Sequence, residues 1–199
     1  MLSISDYNQF FIKKSFNLPE YSIKYKKPIK IEYDKLFYSI FNKMNEHDIT
    51  HIDYNIRETQ EKIKIAEKME KMDIIKNKNK ELIMNNLMYD KLIHIKTFNA
   101  LCMYYKLNVL FVKDNVYVKM FYSDKDDILT LNENYMFGDS IDISNKYEIK
   151  LDKPLKSVGT YKLEELRDIT KLLHLPWEGF KKQQLYDSIK NIIDKLNIF

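Results

Sequence analysis

Residues 109–121 read VLFVKDNVYVKMF, and this stretch decides the fold class. Two runs rich in β-branched and aromatic residues flank the polar triplet Lys113-Asp114-Asn115, the pattern of a β-hairpin closed by a short turn. Upstream of it the periodicity is helical. Leu36, Ile40 and Met44 recur every fourth residue across 35–45, which makes one apolar helix face. Residues 57–76 carry the clearest helical pattern. Ile65, Met69, Met72 and Ile75 form a stripe there, while Glu61, Lys64, Lys68 and Lys71 are left for water. Methionines at that spacing belong to a core. Asn77 and Asn79 interrupt the pattern, and KELIMNNLMYDKLI (80–93) can resume it. Thr97 is placed to cap a further helix running to Lys106, burying Phe98, Leu101, Cys102 and Tyr105. Downstream, SIDISNKYEIKL (140–151) alternates and predicts a second hairpin around Ser144-Asn145. The expectation is an α+β chain. A helical body with a short antiparallel β-hairpin sheet spans 1–153, and a small C-terminal helix–loop–helix module spans 154–199. The boundary falls in DKPLKSVG (152–159), where Pro154 stops an element and Gly159 frees the backbone.

Composition narrows the function classes. The chain has 199 residues, 45% of them hydrophobic, so a core can form. No apolar run approaches the roughly 18–20 residues of a membrane span. The first residues, MLSISDYNQFFIKKSFNLPEY, lack the charged start, apolar block and small-residue site of a signal peptide. An intracellular setting without a membrane partner is therefore expected, in cytoplasm, viral factory or virion. The single cysteine, Cys102, excludes an internal disulfide and a cysteine-based zinc cluster. All three glycines (Gly138, Gly159, Gly179) lie in the last third. The clustered glycines of a phosphate loop or dinucleotide fingerprint are missing, so no cofactor is expected. A net charge of +4 permits nucleic-acid contact without demanding it. Fifteen tyrosines, many Ile, Asn and Lys, and only Ala66 and Ala100 as alanines look like AT-rich coding, as in many large DNA viruses and some protists.

Candidate catalytic groups are few. His47 and His51 in HDITH stand four apart and could share a helix face around a metal ion. Asp48 replaces the glutamate of the zinc-protease pattern, and β-branched Ile49 and Thr50 disfavour a helix, so a solvated loop is expected. A Cys102–His94 nucleophile pair would need a partly exposed thiol in electropositive surroundings. Leu101, Met103, Phe98 and Tyr105 around Cys102 predict a buried apolar cysteine instead. Ser39 has no assignable base. Near the start, Lys24, Lys26, Lys27 and Lys30 interleave with Tyr21, Tyr25 and Tyr33. This reads as a secondary basic arm that could follow phosphates, or as an edge strand with a solvated lysine face.

The C-terminal segment YKLEELRDITKLLHLPWEGFKKQQLYDSI (161–189) reads as two short amphipathic helices about a tight loop. Thr160 is a candidate N-cap, Glu164 and Glu165 suit the first helix's positive end, and Pro176 should stop that helix. Leu163, Leu166, Ile169 and Leu173 should face Leu185, Ile189, Ile192 and Leu196, with Leu175, Trp177 or Phe180 filling the gap. The run Leu163-x-Glu165-Leu166-x-x-Ile169, Leu173-x-Leu175, Lys182-x-x-Leu185-x-x-x-Ile189 resembles the N-terminal helix–loop–helix motif of transcription terminator Rho. It is also similar to SAP domains, although the spacing from Gly179 to Leu185 is one residue longer than theirs. The resemblance implies nucleic-acid binding at the loop and the second helix start. The residues concerned would be Lys181 and Lys182 on phosphates, with Trp177, Gly179, Phe180 and Gln183 beside them. Residues 155–199 carry eight Lys/Arg against six Asp/Glu, so contact should be weak and salt-sensitive, with DNA ahead of RNA. Such modules also dock proteins, which leaves a structural or scaffolding role with viral or host proteins as the alternative.

A second resemblance concerns the body. Leu36-Phe37-Tyr38-Ser39-Ile40, followed by ALCMYYKLNVLFV (100–112) and the hairpin, resembles the core of ovarian-tumour-type (OTU) cysteine peptidases. In that family Asp-Gly-Asn-Cys precedes the matching segment. Here Glu32-Tyr33-Asp34-Lys35 stands there, so Lys35 occupies the nucleophile's place, and VYVKMFY (116–122) lacks the catalytic histidine. The resemblance implies a papain-like fold without the activity.

Overall fold

The computed structural model describes residues 33–45, 51–72 and 79–196, with side chains of the second segment from residue 57 onward. The Lys24–Lys30 arm, His47 and Ile75 lie outside the described residues, as does the side chain of His51. The chain is α+β. Four helices come first: α1 (Lys35–Met44), α2 (His51–Lys71), α3 (Lys80–Tyr89) and α4 (Ile95–Tyr105). Five strands follow: β1 (Asn108–Lys113), β2 (Val116–Phe121), β3 (Ile128–Leu131), β4 (Phe137–Gly138) and β5 (Tyr147–Glu148). A 3-10 turn (Val158–Thr160) leads to α5 (Leu163–Leu172) and α6 (Lys182–Lys195).

The hairpin is the centre of a larger, mixed sheet of order β4-β3-β1-β2-β5. β1 and β2 pair antiparallel from Asn108↔Phe121 to Lys113↔Val116, around a loop in which Asp114 takes a positive φ of 49°. β3 and β5 join parallel to β1 and β2 respectively. β1 is flanked on both edges and buried along nearly its whole length, as its unbroken apolar run requires. Asn108 explains how the chain passes from β2 to β3 around the start of β1. Its side-chain oxygen accepts the N–H groups of Tyr122 (2.8 Å) and Ser123 (2.9 Å). Its amide donates to the carbonyls of Ser123 (3.0 Å) and Lys125 (2.7 Å). One buried asparagine thus satisfies four backbone groups of that connection.

Several expectations need correction. SIDISNKYEIKL does turn at Ser144-Asn145, where Lys146 N–H reaches Ile143 O at 3.0 Å, but it forms no hairpin. The Asp142 carboxylate takes both the N–H (2.9 Å) and the hydroxyl (3.0 Å) of Ser144, a local bond that competes with strand pairing. Only Tyr147–Glu148 pairs, parallel to β2. Thr97 is not a cap. α4 starts at Ile95 after His94, and the buried Thr97 hydroxyl donates to Asn86 Oδ1. Asn86 also accepts the His94 N–H (2.9 Å) and donates to Asp90 Oδ2 (2.7 Å) and Leu92 O (3.1 Å), which holds the α3–α4 connection. Met72 is 62% exposed because α2 ends one residue before it, while Ile65 and Met69 are buried as the stripe predicts.

Two helices end in left-handed residues that are not glycine. After α4, Lys106 has φ 52°, with Leu107 N–H on Cys102 O (2.9 Å) and Lys106 N–H on Met103 O (3.3 Å). After α5, His174 has φ 53°, with Leu175 N–H on Thr170 O (2.8 Å) and His174 N–H on Lys171 O (3.0 Å). Both are Schellman closures, usually filled by glycine. His174, not Pro176, therefore terminates α5. Lys106→Gly and His174→Gly are each expected to raise stability by about 0.5–1 kcal/mol, read as a higher urea midpoint at unchanged m-value.

Candidate nucleic-acid interface

α5 and α6 open in the same way. Their N-caps are Lys162 and Lys181, not Thr160, whose hydroxyl donates to Ser157 O at 2.7 Å. An ammonium accepts no hydrogen bond, so neither lysine caps the first-turn N–H groups. The third helical residue supplies the half of a capping box that chemistry allows. Glu165 Oε2 accepts the Lys162 N–H (2.6 Å), and Gln184 Oε1 accepts the Lys181 N–H (2.8 Å). First-turn N–H groups of α6 are thereby left for water or an anion, beside an exposed Lys181 and a half-buried Lys182. Neither lysine has an ion-pair partner among the described residues.

The loop before α6 turns at Gly179, whose φ of 74° suits glycine, and Phe180 N–H returns to Trp177 O at 3.3 Å. Trp177 and Phe180 are half-buried against the core, with Leu175 beside them. The Lys171 ammonium sits 5.0 Å from the centroid of the Trp177 ring, so one indole face already has a cation. Gln183 is tied along the helix, donating to Asp187 Oδ1 at 3.0 Å. Of the residues the sequence singled out here, Lys181 and Lys182 are free to meet a ligand, Gly179 shapes the loop, and Trp177 and Phe180 chiefly pack. The inward stripes are as expected apart from two shifts: in α6 Ile193, not Ile192, joins Leu185 and Ile189 in the core, and Leu163 of α5 is only half-buried.

A cleft of about 430 Å³ opens between β5 and α5, and its lysines were not singled out in the sequence. Its walls include Tyr147, Lys150, Lys153, Lys156, Tyr161 and Ile169. Tyr161 organises the rim: its hydroxyl accepts the Lys156 N–H (3.0 Å), and its ring lies 6.4 Å from that of Tyr186. Tyr186 in turn donates its hydroxyl to Lys156 O (3.0 Å). Burial, with the Tyr161 hydroxyl close by, pushes the Tyr147 phenol well above its ordinary range, so that ring stays neutral. Three carboxylates also border the cleft, and all three are engaged. Glu148 Oε2 accepts from Lys119 Nζ (2.9 Å) and Tyr117 OH (3.1 Å). The Lys119 bond leads the causes that hold the Glu148 carboxyl below its usual range. Glu165 is spent on the α5 start, and Asp168 pairs with Lys171 at 3.3 Å. The cleft lysines are exposed and have no ion pair among the described residues.

Elsewhere the chemistry is sparse. Cys102 is fully buried, and burial drives its thiol far above the ordinary range, as the apolar neighbours predict. Lys35 is exposed at the first position of α1. Ser39 donates its hydroxyl to Leu36 O at 2.8 Å. Among the described residues, no group of three His, Cys, Asp or Glu side chains could hold a metal ion, and no helix is long and apolar enough to cross a membrane. Comparison with known proteins finds no family model, curated protein or solved structure that matches this chain.

Proposed function

We propose that the chain is a non-enzymatic nucleic-acid-associated protein whose C-terminal helix–loop–helix touches the backbone of DNA or RNA weakly. The observation that carries this reading is the start of α6, where unpaired Lys181 and Lys182 stand beside first-turn N–H groups that no side chain caps. Backbone N–H groups and ammonium groups converging at a helix start favour a phosphate oxygen. Nearby Glu178 and Asp187 keep the local charge low, which fits weak, salt-sensitive contact rather than tight binding. Lys181→Glu/Lys182→Glu is expected to weaken binding to DNA and RNA. It should also flatten the plot of log K against log salt by about 1.4 (single strand) to 1.8 (duplex). Fluorescence anisotropy across a salt series measures both. An unchanged affinity and slope in the variant would defeat the reading.

A scaffolding role has one observation in its favour. Leu82, Tyr89 and Leu92 are 60%, 77% and 51% exposed, and Leu82 and Tyr89 lie seven residues apart on one face of α3. Exposed apolar side chains grouped this way suit a protein partner.

A further inference from the structure

We propose that the cleft between β5 and α5 is the main contact for a single-stranded nucleic acid, whose phosphates it takes on Lys150, Lys153 and Lys156 and passes on to Lys182. This rests on the nucleic-acid reading above and adds the binding surface and the strand type. Three observations carry it.

The first is charge. The cleft holds three lysines and three carboxylates, which suggests neutrality when merely counted. Two of the carboxylates are paired with cations that do not line the cleft, Glu148 with Lys119 and Asp168 with Lys171, whereas Glu165 keeps its charge while accepting the Lys162 N–H. Lys150, Lys153 and Lys156 form no ion pair among the described residues, although the Lys150 charge also acts on Glu148, and with Lys119 and Lys171 counted the balance around the cleft is positive. The second is shape. A volume of about 430 Å³ falls in the range of small-ligand pockets, ~300–1,000 Å³. A flexible strand can follow such a groove more closely than a rigid duplex can. Tyr147, together with Tyr161 at the rim, gives the groove aromatic surface, the combination that single-strand grooves use. The third is continuity. Tyr186 binds the Lys156 carbonyl, and Lys182 lies on the same face of α6 one turn, about 5.4 Å, toward its N-terminus. The connector lysines therefore lead onto the α6 start. The proposed track Lys150–Lys153–Lys156–Lys182–Lys181 counts five lysines.

The test uses the full chain and labelled dT20, rU20 and a 20-base-pair duplex, with anisotropy read at 50, 100 and 200 mM KCl. Five phosphate contacts predict that single-strand affinity falls about 100-fold between 50 and 200 mM salt. Lys150→Gln/Lys153→Gln/Lys156→Gln should reduce that fall to about sevenfold. The matching triple arginine variant should restore the wild-type slope. The lysines are exposed, so circular dichroism and the thermal midpoint should not change. Suppose the glutamine variant keeps the wild-type slope while Lys181→Glu/Lys182→Glu flattens it. The cleft proposal is then overturned and the function proposed above stands. The reverse pattern supports the cleft and removes the α6 start as the principal contact. Absence of binding by wild type at 50 mM defeats both. Tighter binding to the duplex than to dT20 overturns the single-strand assignment. Displacement of dT20 by a 20-residue polyglutamate peptide at equal charge overturns it too, and marks an acidic-protein site.

Discussion

Lys62→Met is expected to lower stability by about 3–5 kcal/mol, read from urea unfolding. Lys62 is only 4% exposed, yet its ammonium meets three oxygens: Asp34 Oδ2 at 2.8 Å, Glu58 Oε1 at 2.8 Å and Lys91 O at 3.2 Å. It also lies 5.2 Å from the centroid of the Phe37 ring. Asp34 is 1% exposed and does two further tasks. Its Oδ1 caps α1 by accepting the Phe37 N–H at 3.0 Å, and its Oδ2 accepts the Ile93 N–H at 2.7 Å. One buried carboxylate thus ties α1, α2 and the entry to α4. Removing the cation leaves that carboxylate, and the neighbouring Glu58, without their counter-charge in a dry setting. The double variant Asp34→Asn/Lys62→Met removes charge from both partners, so it should be milder than the sum of the single variants by more than 1 kcal/mol. Additivity within about 0.5 kcal/mol would show that the two residues act independently, against the geometry.

This network also shows where sequence reading stops. The hairpin at 109–121 was legible because strand pattern and turn residues are local. So were α1, except that Met44 at its end is exposed, the buried part of the α2 stripe, and most of the amphipathic stripes of α5 and α6. The parallel strands were not. Ile128–Leu131 is four residues long and follows Asp124, Asp126 and Asp127, so nothing local announces that it pairs with β1. Asn86 and Asn108 look like ordinary loop formers in an asparagine-rich chain, yet each is buried and satisfies backbone groups of a connection. The helix ends were obscured by glycine scarcity: Lys106 and His174 occupy positions where a glycine would have marked the stop. The candidate site follows the same division. Lys181 and Lys182 stand at a recognisable helix start. Lys150, Lys153 and Lys156 lie in and beside a region dominated by acidic residues, and only side-chain pairing shows which charges remain free.

The largest remaining effect concerns whether α5 and α6 unfold with the sheet. Leu185→Ala is expected to cost about 2–5 kcal/mol and to move the unfolding of the whole 33–196 unit. Leu185 is fully buried, and the core that includes it and Leu166 runs on to Val118, Met120 and Ile149 of the sheet region. Polar bonds cross the same seam. Lys113 Nζ at the hairpin turn donates to Leu196 O at 2.6 Å, and Tyr186 holds the connector at Lys156. Trp177, the single tryptophan, lies in the α5–α6 loop, so its fluorescence reports this region alone, while far-ultraviolet dichroism reports every helix. Coincident transitions by the two probes, displaced together by Leu185→Ala, are the expected result for one cooperative unit. A fluorescence transition that shifts while most of the dichroism signal stays in place would mean that the helix pair melts by itself. The cleft would bear that cost, because its two walls, β5 with the connector and α5, meet only where this seam is closed.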